Sequence, residues 1–287
     1  MFPDQLSALT VYRLPSNPAK DDPTAANPQT LAVAAEFLQR RFDALTASDP
    51  TFRRYLALIR ESGLQIVVLG GWARDGLREL ICGTPVVSRD IDLVAHGSAS
   101  VTDVLASGGV RNAFGGVGLK ADTIHLDVWN LRETFLIQRH SLPVAYETLP
   151  STADFTFNAL VFLPAEFFGR PSVIERGAIE AIQTRVVEFA TQDIAMPVVQ
   201  VARALILAVR MSYRLSDAVM AFITDICSDS ASTEQVLRGI ETYCPPHLKV
   251  AAHGLFVETL NRDPISTPSL QNSHTKTSLC PCELRTP

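Results

Sequence analysis

The sequence has no run of about 18 apolar residues, the length a membrane-spanning helix needs, so no span is expected. The first residues, Met1-Phe2-Pro3-Asp4-Gln5, carry neither a charged n-region nor an apolar h-region, so no secretory leader is expected. Cysteine is scarce: five residues, an odd number at irregular spacing, which fits a reducing cytoplasm better than a disulfide framework. Cys280-Pro281-Cys282 has no second Cys/His pair at a suitable spacing, so reactive thiols are expected there and a metal site is not. Positive charge is not in excess. Lys and Arg total 25 against 30 Asp and Glu, a formal net charge of −5. That argues against a surface coated in basic residues for long nucleic acids, and leaves room for a local basic pocket. No internal repeat is visible. What is present is a globular composition: 47% hydrophobic and 19% charged over 287 residues, enough for one large domain or two modest ones around a sizeable core.

One stretch organises the chain. Gln65-Ile66-Val67-Val68-Leu69 is short, apolar and rich in β-branched residues, and predicts a buried strand. Gly70-Gly71 ends it, allowing a tight turn and the approach of backbone N–H groups to a ligand. Trp72 to Leu80 has helical spacing, so the glycines fall at a helix N-terminus, a place suited to phosphate. Arg74 adds a cation able to bind phosphate oxygens in a bidentate way. Fifteen residues after Asp75 comes Asp90-Ile91-Asp92-Leu93-Val94. In a strand, residues i and i+2 share a face. Both carboxylates then point one way, with Ile91 and Leu93 toward a core. Two such carboxylates repel unless a cation lies between them, and Mg²⁺ is typically held by one or two carboxylates together with substrate phosphates.

Gly70-Gly71-x-x-Arg74-Asp75, a spacer and Asp90-x-Asp92 resemble the nucleotidyltransferase head of the class II tRNA nucleotidyltransferase and bacterial poly(A) polymerase family. The resemblance implies an α/β (α+β) fold: a small mixed β-sheet flanked by helices, followed by a helical C-terminal region. It implies transfer of a nucleoside monophosphate from an NTP, with ATP favoured, to a hydroxyl, with pyrophosphate leaving. Asp90 and Asp92 would hold two Mg²⁺ ions, and Gly70, Gly71 and Arg74 the triphosphate. Asp75 is expected to orient Arg74 or the helix start rather than bind metal.

Other segments extend the likeness. Thr123 to Trp129 alternates strictly, with Ile124, Leu126 and Val128 on one face and His125, Asp127 and Trp129 on the other. Val117 to Lys120 and the Ala121-Asp122 connection predict a hairpin with it. The family carries a hairpin here, with a third acidic residue and a following arginine, which Asp127 and Arg132 match. His125 reads as an exposed strand histidine. Asp154-Phe155-Thr156-Phe157-Asn158-Ala159-Leu160 resembles the family's segment touching nucleotide sugar and phosphates, which assigns Asp154 and Asn158 that role. A helix-capping Asp and an inward Asn would explain the same residues. Thr152-Ala153 replaces the family's paired arginines. Ile174 to Ile182 resembles the turn from head to neck. Val198 to Leu215 predicts a long apolar helix whose charges are Arg203, Arg210 and Arg214, with Arg203 placed to reach a triphosphate or simply to face solvent. Its start, Met196-Pro197-Val198-Val199-Gln200, departs from the family's Asp-Pro-x-Arg.

The flanks read more simply. Pro3, Pro15, Pro18, Pro23 and Pro28 punctuate an extended, mobile arm. Asn27-Pro28 and Asp49-Pro50 are helix starts, and Gly63 ends the second helix. Arg40, Arg41, Arg53 and Arg54 read as solvated helix faces. Ser98 to Ala106 predicts a helix stopped at Gly108-Gly109. Helices are also expected over 218–227, 234–242 and 247–260. The expected organisation is an arm and helices over 1–63, the head over 64–165, a helical neck and body over 166–260 and a disordered Ser/Thr/Pro-rich tail over 261–287. Expected partners are an NTP and an RNA or tRNA acceptor, with no membrane. Two other classes stay open: a nucleotide-binding regulatory protein that has kept the fold, and a nucleotidyltransferase acting on a small molecule.

Overall fold

The computed structural model describes residues 11–14, 26–105, 108–111 and 116–262. The tail from 263, most of the proline-punctuated arm, and residues 106–107 and 112–115 lie outside these. The chain divides into two compact units, Met1–Met196 and Pro197–Pro287.

The first unit runs β1 (Val11–Arg13), α1 (Pro28–Ser48), α2 (Pro50–Glu61), β2 (Gln65–Leu69), α3 (Gly71–Cys82), β3 (Asp90–His96), α4 (Val101–Leu105), β4 (Gly109–Arg111), β5 (Val117–Lys120), β6 (His125–Asn130), α5 (Phe135–Arg139), β7 (Leu160–Leu163), α6 (Ala165–Phe168), β8 (Ser172–Glu175), α7 (Ala178–Thr184), β9 (Val186–Val187) and β10 (Asp193–Ala195). Seven strands form one mixed sheet in the order β4-β5-β6-β3-β2-β7-β8, in which only β3 and β6 are parallel. This is the α+β architecture expected. Part of the arm expected to be mobile is instead paired, since β1 runs antiparallel to β10.

Alternation along the strands sorts the two faces. Val117, Val128, Leu93, Val68, Phe162 and Val173 form one in-register row across five pairings, all buried. Over the sheet Phe42 of α1, Phe52 of α2, Trp72 of α3 and Phe162 make edge and stacked ring contacts at centroid distances of 5.6 to 6.4 Å. Such pairs add about 0.5–1.5 kcal/mol each beyond the area they bury. On the opposite face Val67, Val94, Leu131, Ile137, Leu149, Val161 and Leu163 form a second apolar cluster, flanked by Tyr146, Phe168 and Trp129.

Most starts and stops follow the sequence. Asn27 caps α1 by accepting from Thr30 N, and Gly63, at φ +75°, follows the end of α2. Some boundaries differ. The expected helix at 98–106 begins only at Val101, because Ser100 takes the capping position over Asp103 N. Gly109, expected as a stop, opens β4; an added Cβ there would lie 2.1 Å from Val117, so only glycine lets that edge pair close up. The hairpin turn spans four residues rather than two, with Ala121 N donating to Ile124 O, so β6 starts at His125.

Asp49 explains how that turn is held. It is fully buried and accepts from Phe52 N (2.8 Å), Thr123 N (2.8 Å), Thr123 Oγ1 (2.8 Å) and Asp122 N (3.3 Å). It therefore caps α2 and clamps the β5–β6 turn to it. Burial by itself would raise its pKa, but the donors from Phe52, Thr123 and Asp122 outweigh that and hold it below the ordinary 3.8. A depressed carboxyl pKa gives stability that is present above the ordinary value and lost as pH falls through the folded one. Asp49→Ala is expected to cost about 2–3 kcal/mol at pH 7. In urea unfolding the gap to wild type should close as pH is taken below 3.8. A gap that is the same at pH 7 and pH 3 would contradict a role for the ionised clamp.

The second unit contains α8 (Pro197–Met211), α9 (Asp217–Ile226), α10 (Ser230–Tyr243) and α11 (Lys249–Leu260). Its core includes Leu205, Val219, Phe222, Val236, Ile240 and Phe256. Gly239 lets α10 approach α8, since an added Cβ would sit 3.0 Å from the Ala202 Cβ. The helix expected to reach Leu215 ends at Met211, where Ser212 turns into the left-handed region at φ +56°. Three cysteines among the described residues, Cys82, Cys227 and Cys244, are free. Burial pushes Cys227 up to about 11 and also raises Cys244, so neither is a ready thiolate. No helix of the described residues is long and apolar enough to cross a membrane.

Candidate active site

The site face of the sheet is apolar toward one end and acidic toward the other. Leu69, the last residue of β2, is in register with Asp92 of β3, and Asp92 with Asp127 of β6. Beyond Asp127 the next partner is Gly118 of β5, which has no side chain to cover it: an added Cβ would lie 3.5 Å from Asp127 Oδ1. Asp90 is exposed, Asp92 and Asp127 are half-buried, and Ile91 and Leu93 are buried on the helix side, as their alternation requires.

The turn after β2 faces this row. Gly70 has φ +71° and ψ −129°, a conformation that L side chains rarely adopt, and an added Cβ would stand 3.3 Å from Asp92 Oδ2. An α-helix leaves its first N–H groups without intrahelical partners. Gly70 supplies no side-chain cap to α3, so the helix N-terminus, with its partial positive charge, opens beside the carboxylates.

Arg74, expected among the phosphates, has a side chain 7% exposed with its Nη2 3.6 Å from the place of a Gly71 Cβ. A buried guanidinium needs partners. Asp75 Oδ1 accepts from Arg74 Nε at 2.9 Å and lies 2.9 Å from Nη2, so Asp75 takes the orienting position. Arg74 Nη1 donates to Asn158 Oδ1 at 2.9 Å, and the guanidinium lies 5.8 Å from the centre of the Phe157 ring. Asn158, itself buried, passes the chain on, since its Nδ2 donates to Asp154 Oδ1 at 2.9 Å. Asp154 is half-buried and also accepts from Phe155 N at 2.8 Å. Asn158 thus faces inward, linking Arg74 to Asp154.

The structure brings Gly70, Gly71, Asp90, Asp92 and Asp127 to one end of the sheet, with Arg74, Asp75, Asn158 and Asp154 in one network beside them. Arg203 and Arg210 are exposed on α8 of the second unit, and Arg214 is exposed beyond its end. Arg132 is exposed past the end of β6 and donates to Gly97 O at 3.4 Å. Arg41 departs from expectation. It is not on a solvated face but reaches Ser88, a residue that sequence reasoning passed over.

Among the described residues, no group of three or more His, Cys, Asp or Glu side chains is placed to hold a metal ion. The three aspartates therefore do not form a closed protein cage. Asp90 and Asp92, two carboxylates on one face beside a helix N-terminus, fit the other arrangement, in which Mg²⁺ is completed by phosphate oxygens and water.

No protein-family model matches the sequence, and no curated protein matches it. Solved structures do match in fold. A tRNA-processing enzyme in its second apo form superposes with a TM-score of 0.50 at 19% identity, over 71% of this chain and 57% of the other. A complex of a tRNA-processing enzyme gives 0.50 at 20% identity over the same shares, 71% and 57%. A CCA-adding enzyme with ATP gives 0.49 at 18%, over 71% and 50%. The chain thus spans little more than half the length of the structures it matches. What is shared is the fold.

Proposed function

We propose that the protein is a metal-dependent nucleotidyltransferase that moves a nucleoside monophosphate from an NTP, ATP being favoured, to a hydroxyl acceptor. The observation that carries this reading is the placement of Asp92 against the Gly70 turn at the N-terminus of α3. That is one phosphate-binding element and one cation-binding element within a single phosphate's reach. The acceptor oxygen would bond the α-phosphorus, the bond from that phosphorus to the bridging oxygen would break, and pyrophosphate would leave. When bound, Mg²⁺ supplies charge neutralisation and orientation of the reacting oxygens. Asp90 and Asp92 would hold it, and the first N–H groups of α3 would hold phosphate oxygens. Asp127, in register with Asp92, would orient the acceptor hydroxyl. Arg74 would back the turn with a fixed positive charge, kept in place by Asp75 and Asn158.

The acceptor is an RNA 3′ end in this reading, in line with the RNA-processing proteins that share the fold. A regulatory nucleotide-binding role is the alternative. Thr152-Ala153 at the expected arginine pair and the inward-facing Arg74 favour it.

Ordered building of a C-C-A end is not expected. Choosing first CTP and then ATP needs fixed hydrogen-bond partners for a base edge, because rejection works by leaving buried polar groups unpaired. Where the resembled family carries Asp-Pro-x-Arg the sequence has Met196-Pro197-Val198-Val199-Gln200, in which Val198 and Val199 offer no side-chain hydrogen bond to a base edge. The purified chain should be incubated with each labelled NTP, Mg²⁺ and either total RNA or tRNA lacking its 3′ end. Label from one NTP, or relaxed use of several, is expected on RNA. Ordered C, C, A addition would overturn the specificity argument. No label on any acceptor, alongside measurable NTP binding, would favour the regulatory alternative.

A further inference from the structure

We propose that Arg41 and Ser88, both outside the recognisable motifs, are positioning residues for the nucleotidyl-transfer site; this rests on the function proposed above. Arg41 comes from α1, well before the head strands. Gly76 of α3 allows it to reach in, since a Cβ there would stand 2.5 Å from Leu38 and 3.3 Å from Arg41 Cδ. The Arg41 guanidinium lies 5.3 Å from the centre of the Trp72 ring and pairs with the Glu79 carboxylate of α3. Its Nη2 donates to Val86 O at 2.6 Å and to Ser88 Oγ at 3.1 Å. Val86 N is also 3.5 Å from Glu79 Oε2. The irregular segment between Gly83 and Asp90 is therefore strapped at its middle, and the strap ends two residues before the first metal-facing carboxylate.

Ser88 joins this strap to the buried network. It accepts from Arg41 and donates its single hydroxyl proton to Asp75 Oδ2 at 3.3 Å, which uses its donor and one of its two acceptor positions. Asp75 in turn holds Arg74, and Arg74 holds Asn158. One hydroxyl thus couples the approach to Asp90 and Asp92 with the charge behind the glycine turn. A displacement of reacting groups by about 1 Å costs about a hundredfold in rate. Loosening the strap should misplace the carboxylates against the turn without removing any group that touches the substrate.

The test uses the full chain with ATP, Mg²⁺ and an RNA acceptor, comparing wild type, Ser88→Ala and Arg41→Lys. Lysine keeps the charge over Trp72 and loses the planar fork that spans Val86 and Ser88. Amide hydrogen exchange over residues 84–92 is followed in the same samples. We expect kcat to fall about tenfold for Ser88→Ala and up to about a hundredfold for Arg41→Lys. KM for ATP should change less than about threefold, because phosphate-binding N–H groups are untouched. Exchange over 84–92 should quicken in both. A purely structural strap would lower the melting temperature and leave kcat per folded molecule at the wild-type value; that result overturns the proposal. Should Arg41→Lys fail to fold, Ser88→Ala decides the matter, since it removes one half-buried hydroxyl. A wild-type protein that transfers nothing would sink the function reading and this proposal with it, whereas an active wild type with unaffected variants sinks this proposal alone.

Discussion

Asp92→Asn is expected to lower turnover about a thousandfold and to leave the melting temperature unchanged or slightly raised. The substitution keeps the shape, turns one acceptor oxygen into an amide donor and removes one negative charge. Under the proposed chemistry that charge is what holds the cation against the phosphates, so its loss falls on the transition state. Asp92 is half-buried beside Asp127 on the neighbouring strand and two residues from Asp90 on the same face. Like charges placed so destabilise a sheet modestly. Removing one should relieve the folded state. Turnover and thermal melting on the same preparation check both halves. A normal rate from Asp92→Asn, or a large loss of stability, would mean that this carboxylate is structural.

Arg74→Ala should do the reverse, costing about 3–5 kcal/mol of stability. Asp75 is 3% exposed and Asn158 7% exposed, so both would lose their donor where water cannot easily replace it. Asp75 would keep only the 3.3 Å contact from Ser88. The penalty arises mostly from the stranded carboxylate, so it should shrink when the carboxylate is removed as well. Arg74→Met combined with Asp75→Asn is expected to be clearly less destabilised than the two single changes summed. Strict additivity in a double-mutant cycle by urea unfolding would show that the pair is not coupled. Where the variant remains folded, NTP binding should weaken more than NMP binding, because the missing charge lies behind the turn that would face the outer phosphates.

Much of the head was legible in the sequence because its signals are local. The β-branched run 65–69, the glycine pair and the alternation at 90–94 and 123–129 each fix an element and a face without outside help. Asn27-Pro28 and Asp49-Pro50 carry their own helix starts. What the sequence concealed is set by contacts distant along the chain. Nothing local to Asp49 reveals that Thr123 completes its hydrogen bonds, 74 residues away. Arg41 has the spacing of an exposed residue beside the Leu38–Phe42 stripe. Only the close approach of Gly76 turns it inward. Arg74 reads as a phosphate ligand because it is a bidentate cation at a glycine-led helix start. Its bond to Asn158, 84 residues on, is not legible there. Edge strand β4 escaped because Gly109-Val110-Arg111 has the composition of a turn and becomes a strand only against Val117 to Leu119.

The central claim is that the chain transfers a nucleotidyl group and not a terminal phosphate. The most direct measurement follows two ATP samples, one labelled in the α-phosphate and one in the γ-phosphate, through incubation with the purified chain, Mg²⁺ and RNA. The account predicts α-label on the RNA in a product lost with Asp92→Asn, and γ-label recovered wholly as pyrophosphate. Transfer of γ-label to any acceptor, or release of γ-label as inorganic phosphate without α-label on a product, would contradict it.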